Sequence, residues 1–125
     1  SHLAGNPDFS ASLTPAQRQA AIQQVEAIEP ALPGGEVDLG LFDLSTYANW
    51  VEVLKQLHGD DFDAWAQTQV LREQHPKTLA VLQYAWRHAP PRLSPAAQAK
   101  LTSQVQAFVR QHPNSLASRA ANDDL

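Results

Sequence analysis

Proline and glycine divide this chain of 125 residues into segments of the length of a helix. Between those breaks, large apolar residues recur three or four positions apart, a period that places them on one side of an α-helix. Polar residues that cap helices stand beside several breaks, as in Thr14-Pro15 and Ser94-Pro95. The sequence therefore predicts an all-α fold.

Six segments are predicted to be helical, and the sixth is short. Their approximate ranges are 15–29, 44–58, 60–75, 77–89, 94–112 and 114–121. Because the loops between most of them are short, consecutive helices should pack side by side. We predict a compact bundle of five or six mostly antiparallel helices.

The segment 30–43 interrupts this pattern. It contains two prolines, three glycines and four large apolar residues, namely Val37, Leu39, Leu41 and Phe42. Alternation of three of these residues would permit a short strand, but no second strand is evident to pair with it. We predict an irregular apolar connector that lies across the bundle.

The domain organisation follows from the same reading. Residues 1–12 are predicted to form an irregular lead-in, residues 13–121 a single helical domain, and residues 122–125 a frayed tail. The chain contains no methionine and begins with Ser1-His2, which looks like the scar of a cleaved tag. We expect a trimmed natural N-terminus, which favours an exported or periplasmic protein over a cytoplasmic one, and no membrane span.

Charge is distributed unevenly along the chain. Residues 1–63 hold ten acidic and two basic residues, a net charge of −8, whereas residues 64–125 hold seven basic and three acidic residues, a net charge of +4. This asymmetry predicts that acidic and basic helices pack side by side. The alternative is a surface that attracts a charged partner.

No pattern typical of catalysis or of cofactor binding is found in the sequence. Cysteine is absent, which excludes disulfides and thiolate metal sites. Nucleotide-binding glycine loops, zinc-binding His pairs and the nucleophile elbow are missing as well. The acidic run at 60–63 is predicted to stabilise a helix start, and four histidines are predicted to cap helix ends: His58, His75, His88 and His112. We expect no catalytic residue, no cofactor and no metal.

A candidate surface for binding a partner follows the fourth predicted helix. Tyrosine and arginine are enriched where proteins bind each other, and the residues expected to lie away from the core here are Tyr84, Arg87, His88 and Arg92. An isoelectric point of about 5.6 argues against nucleic acid. The expected partner is therefore another protein, and the oligomeric state is left open.

Two functions fit these observations. The first is a non-enzymatic protein-interaction module, such as a bacterial accessory or adaptor protein. The alternative is a small enzyme or ligand-binding protein with its site between the 30–43 connector and the helical bundle, where Asp38, Asp43 or a histidine would act. A buried polar pocket beneath residues 36–43, with a carboxylate and a histidine within hydrogen-bond reach, would favour the second function. A solid interior with an exposed apolar or Tyr/Arg patch would favour the first.

Overall fold

The computed structural model describes residues 12–125, and it is all-helical across that range. It contains no strand there, so the prediction of an all-α bundle with one irregular connector is confirmed. The predicted lead-in, apart from Ser12, lies outside the described residues. The helices are α1 (Pro15–Ala27), α2 (Leu41–His58), α3 (Phe62–Leu71), α4 (Pro76–Ala85), α5 (Pro95–Gln111) and α6 (Leu116–Ala121), and a 3-10 turn at Gly59–Asp61 joins α2 to α3.

Hydroxyl side chains cap three of the helices, as the sequence predicts for two of them. The side chains of Thr14, Ser94 and Ser115 each accept a hydrogen bond from the backbone N–H three residues further on, at 3.1–3.2 Å. In α1 the bond is reciprocated, because Gln17 accepts from the backbone N–H of Thr14 at 2.9 Å. These caps satisfy N–H groups that the first turn of a helix leaves free.

Helix α4 lies at the centre of the bundle, in contact with α2, α5 and α6. Four consecutive residues of α4, from Leu79 to Leu82, are fully buried. The facing side of α6 is made of small buried residues, Ala117, Ser118 and Ala120, which allow the two helices to approach closely. Helix α1 packs mainly on α2 and has one buried residue, Ile22.

Aromatic side chains fill the space between α2, α3 and the end of α4. Neighbouring rings have centroids 5.3–6.2 Å apart and meet at varied angles, and the cluster comprises Tyr47, Trp50, Phe62, Trp65 and Trp86. All five side chains are buried. The three tryptophans therefore belong to the core and do not form an open ligand cage.

Helices α3 and α4 each end four residues earlier than predicted, and α2 begins three residues earlier. Helix α3 ends at Leu71, because the backbone of Arg72 is extended and its side chain reaches Glu29. Helix α4 ends at Ala85. Helix α2 already begins at Leu41, because the Asp43 carboxylate accepts a hydrogen bond from the Gly40 N–H at 2.8 Å. The irregular connector therefore ends at residue 40.

The last residues of the chain contact the bundle. Gln83 donates to the carbonyl of Ala121 at 2.9 Å, and the backbone N–H of Asp124 donates to the carbonyl of Arg119 at 2.7 Å.

Across residues 12–125, no helix combines the length and the apolar character that a membrane crossing requires.

Candidate functional site

Three large apolar side chains of the connector and the start of α2 point into solvent. Val37 is 62% exposed, Leu41 is 68% exposed and Phe42 is 79% exposed. We call these three residues the connector patch. Of the four large apolar residues of the connector that was expected to lie across the bundle, Leu39 alone is buried, and the other three are exposed.

A buried lysine holds the connector from beneath. Lys77, in the first turn of α4, is 3% exposed, and its ammonium group donates to the carbonyl of Pro33 at 2.7 Å and to the carbonyl of Val37. Within residues 12–125 no carboxylate lies in ion-pair contact with this ammonium group. The two carbonyl groups therefore provide the compensation that a buried charge requires.

Aspartate side chains fix the other half of the connector. Asp38 accepts hydrogen bonds from its neighbour Leu39 at 2.9 Å and from the backbone N–H of Leu116, at the start of α6, at 2.9 and 3.1 Å. Asp43 caps the start of α2 through Gly40. Both carboxylates considered for an enzymatic site thus accept hydrogen bonds from backbone N–H groups.

A cleft of about 430 Å³ lies between residues 29–35 and the bundle. On one wall Glu29 accepts from Arg72 at 2.9 Å and from the Tyr47 hydroxyl at 3.4 Å. Burial raises the pKa of Tyr47 far above its usual range, and the negative charge of Glu29 adds to this effect. The hydroxyl of Tyr47 therefore stays protonated and acts as a hydrogen-bond donor. Neither Asp38 nor Asp43 lines this cleft, whereas His75 does.

A histidine and a carboxylate do meet between the connector and α5. Nε2 of His112 lies 3.2 Å from Oε2 of Glu36, and the His112 ring packs on Phe108 with centroids 4.9 Å apart. The Glu36 side chain is largely exposed. This contact therefore lies at the surface, unlike the buried polar pocket that would favour an enzyme.

The structure brings together two of the four residues predicted to bind a partner. The guanidinium of Arg87 lies 3.8 Å from the centre of the Tyr84 ring, and it donates to the Tyr84 carbonyl at 2.8 Å. Arg87 also forms an ion pair with Asp123 at 3.4 Å. His88 and Arg92 lie exposed in the loop after α4, and neither hydrogen-bonds to that pair within the described residues.

The histidines do not share the single role that the sequence predicts. His75 precedes α4 and caps its N-terminus, because Nδ1 accepts from the backbone N–H of Lys77 at 3.0 Å. His58 is the last residue of α2, His112 is the residue after α5, and His88 lies three residues beyond α4. Among residues 12–125, no group of three or more His, Asp and Glu residues lies close enough to hold a metal ion.

Burial lowers the pKa of His58, an effect that the nearby charges of Glu26 and Asp61 oppose. Its Nε2 atom is buried without a hydrogen-bond partner in the described part of the chain. Because the pKa of His58 is lower in the folded chain than in the unfolded chain, the unfolded chain binds the proton more readily. The stabilisation that neutral His58 gives the folded chain is therefore complete above the ordinary pKa of 6.5 and is lost as pH falls below it.

We therefore expect His58→Gln to reduce the loss of stability between pH 7 and pH 5. Urea unfolding at several pH values measures this effect. His88→Gln is the matched control, because His88 is exposed and should leave the profile of the unaltered protein unchanged. An equal loss of stability at acidic pH in the His58 variant and in the unaltered protein would contradict the lowered pKa of His58.

Comparison of the chain with protein-family models, with curated proteins and with solved structures gives no match in any of the three.

Proposed function

We propose that this chain is a non-enzymatic protein-interaction module that binds its partner through the connector patch. The observation that carries this proposal is the exposure of Val37, Leu41 and Phe42 on a segment that the bundle holds in place. Single exposed apolar residues are common on protein surfaces, whereas several grouped together are typical of interaction sites. These three lie within six consecutive residues.

Anchoring of the connector supports the proposal. A free loop could fold its apolar residues inward, but Lys77 fixes the carbonyl of Val37, and Asp38 fixes the following residues against α6. Covering each of the three exposed side chains would contribute at most roughly 1.5–3 kcal/mol to binding, because each is already partly buried. A preformed patch also avoids part of the cost of ordering a loop when the partner binds.

The carboxylates of this region support binding over catalysis. Asp38 and Asp43 each accept backbone hydrogen bonds that fix the connector and the start of α2. Their roles are thus accounted for by the presentation of the patch. The surface formed by Tyr84, Arg87, His88 and Arg92 stays a prediction, and the same experiment tests it.

Site-specific photo-crosslinking tests the proposal. The photoreactive residue p-benzoylphenylalanine, placed at position 42 in the protein added to a lysate of its native cells, should give a discrete adduct. Position 28 is the matched control, because Ile28 is 72% exposed but lies outside the patch. The adduct should disappear in the double variant Val37→Ser and Leu41→Ser, since the crosslinker itself replaces Phe42.

Unfolding would not account for loss of the adduct, because substitutions at such exposed positions change stability by about 0.5 kcal/mol or less. Equal labelling from positions 42 and 28 would contradict the proposal, as would an adduct that survives the double variant. Labelling from position 88 but not from position 42 would assign the binding surface to Tyr84 and its neighbours instead.

A further inference from the structure

From the proposed function, on which this inference rests, we infer that the partner presents a cationic amphipathic helix to the connector patch and to the outer face of α2. The inference combines an uncharged stripe with an apolar residue at each end and exposed carboxylates beside it.

The uncharged stripe runs from the connector patch along α2. Phe42, Asn49 and Val53 are separated by seven and four residues, so they lie within about 40° of one another around the helix and span about 16 Å along it. Phe42 and Val53 supply the apolar ends, and Val53 is 40% exposed. The exposed Asn49 between them is polar but uncharged.

The spacing of the stripe fits a helical partner. Phe42 and Val53 are eleven residues apart, which is about three helical turns. An amphipathic partner helix with apolar residues eleven positions apart on one face would contact both ends of the stripe at once. The amide of Asn49 can both donate and accept hydrogen bonds, so a polar side chain of the partner could pair with it.

Carboxylates border this stripe. The exposed Glu52 lies beside it, about 80° around the helix from Phe42, and Glu36 and Asp38 border the connector end. The sequence contains no lysine or arginine between Arg18 and Lys55.

Three basic residues that contact the connector or belong to α2 do not cancel this charge at the surface. Lys77 is buried beneath the connector. Lys55 lies about 140° around α2 from Phe42. The third basic residue is His112, whose imidazole contacts the Glu36 carboxylate at the edge of the connector.

Complementary charge then determines which apolar partner fits. A helix with lysine or arginine beside its apolar residues would place cations opposite Glu52 and Glu36, which steers association and disfavours acidic partners. The same carboxylates repel phosphate groups, so an anionic membrane or a nucleic acid is disfavoured on this face.

Two synthetic peptides test the inference. Both are 18-residue helices with the same leucine face, and their polar faces carry only lysine in one peptide and only glutamate in the other. Fluorescence anisotropy should show at least tenfold tighter binding of the lysine peptide at about 50 mM salt, with the difference shrinking at about 500 mM. Phe42→Ser and Val53→Ser should each weaken binding at least fivefold, whereas Ile28→Ser should leave it unchanged.

Substitution of the bordering carboxylates separates charge from apolar contact. Glu52→Gln and Glu36→Gln together should weaken binding of the lysine peptide severalfold and reduce its salt dependence. Binding of the lysine peptide that is insensitive to Phe42→Ser would overturn the inference, because general attraction to an acidic protein would then explain it.

The outcomes distinguish this inference from the proposed function. Equal binding of both peptides, or binding of neither when position 42 still crosslinks to a protein, would overturn the charge preference and leave the connector patch as a binding surface. Loss of the crosslink as well would overturn both. Phe42-dependent binding to vesicles of phosphatidylcholine and phosphatidylglycerol would show that the face contacts membranes and would also overturn the inference.

Discussion

Replacing Trp50 with alanine should lower the free energy of unfolding by about 3–5 kcal/mol and release α1 from the bundle. Trp50 is buried between Tyr47 and Trp65, with ring centroids 5.3 and 5.7 Å away. Its indole N–H also donates to the carbonyl of Val25 in α1 at 2.7 Å. The substitution therefore removes core packing and a link between helices in one step.

Helix α1 is the element most sensitive to this loss, because polar contacts contribute much of its attachment. Beside the Trp50 bond, the indole of Trp65 donates to Glu26 at 3.0 Å, and the Tyr47 hydroxyl donates to Glu29, two residues after α1. Ile22 alone is buried among the residues of α1. Loss of the Trp50 side chain would weaken the packing that holds the other two donors in place.

Trp50→Phe is the matched control, since it keeps an aromatic ring and removes the N–H donor. It should cost about 1–2 kcal/mol, because a single hydrogen bond is lost and the packing is largely kept. Urea unfolding measures both variants, and hydrogen exchange of the α1 amides measures detachment. Equal destabilisation by the two variants, or unchanged protection of α1 in the alanine variant, would contradict this account.

Features encoded by neighbouring residues could be predicted from the sequence. Thr14 and Ser94 cap helices through contacts that reach only three residues along the chain, so the local pattern contains all the required information. The end of α3 could not be predicted in this way. The contact of Arg72 with Glu29 joins residues 43 positions apart, and only the folded chain brings them together.

The connector shows why the exposure of the connector patch was not predicted from the sequence. Hydrophobicity alone predicts that Val37, Leu41 and Phe42 are covered, yet Asp43 starts α2 at Leu41 and the whole patch faces solvent. A local signal for this start exists, because Gly40 and Asp43 stand at the spacing of a helix cap. The burial of Lys77 has no comparable signal, since lysine is almost never fully buried.

The partner-binding surface predicted from the sequence illustrates a different limit. Tyr84 and Arg87 were chosen because tyrosine and arginine are common in binding surfaces. Residue type alone does not show whether such a side chain already contacts other residues of the same chain. In the structure Arg87 already contacts the Tyr84 ring and Asp123. Exposure therefore ranks the connector patch above this surface, and the crosslinking experiment compares them directly.

Lys77→Met should lower the free energy of unfolding by about 2–4 kcal/mol and loosen the connector. Methionine fills a similar volume but donates no hydrogen bond, so the carbonyl groups of Pro33 and Val37 lose their shared partner. Hydrogen bonds to charged groups contribute about 1.5–3 kcal/mol each, and removal of a buried charge offsets part of their loss. Urea unfolding at pH 7 measures the net effect.

Lys100→Met is the matched control, because Lys100 is half-buried and donates to one carbonyl, that of Arg72, at 3.1 Å. It should cost less than about 1 kcal/mol. Amides of residues 37–41 should exchange faster in the Lys77 variant alone, and crosslinking from position 42 should fall with them. If Lys77→Met is as stable as the unaltered protein, the cost of burying the ammonium cancels its two bonds, and another contact must hold the connector patch in place.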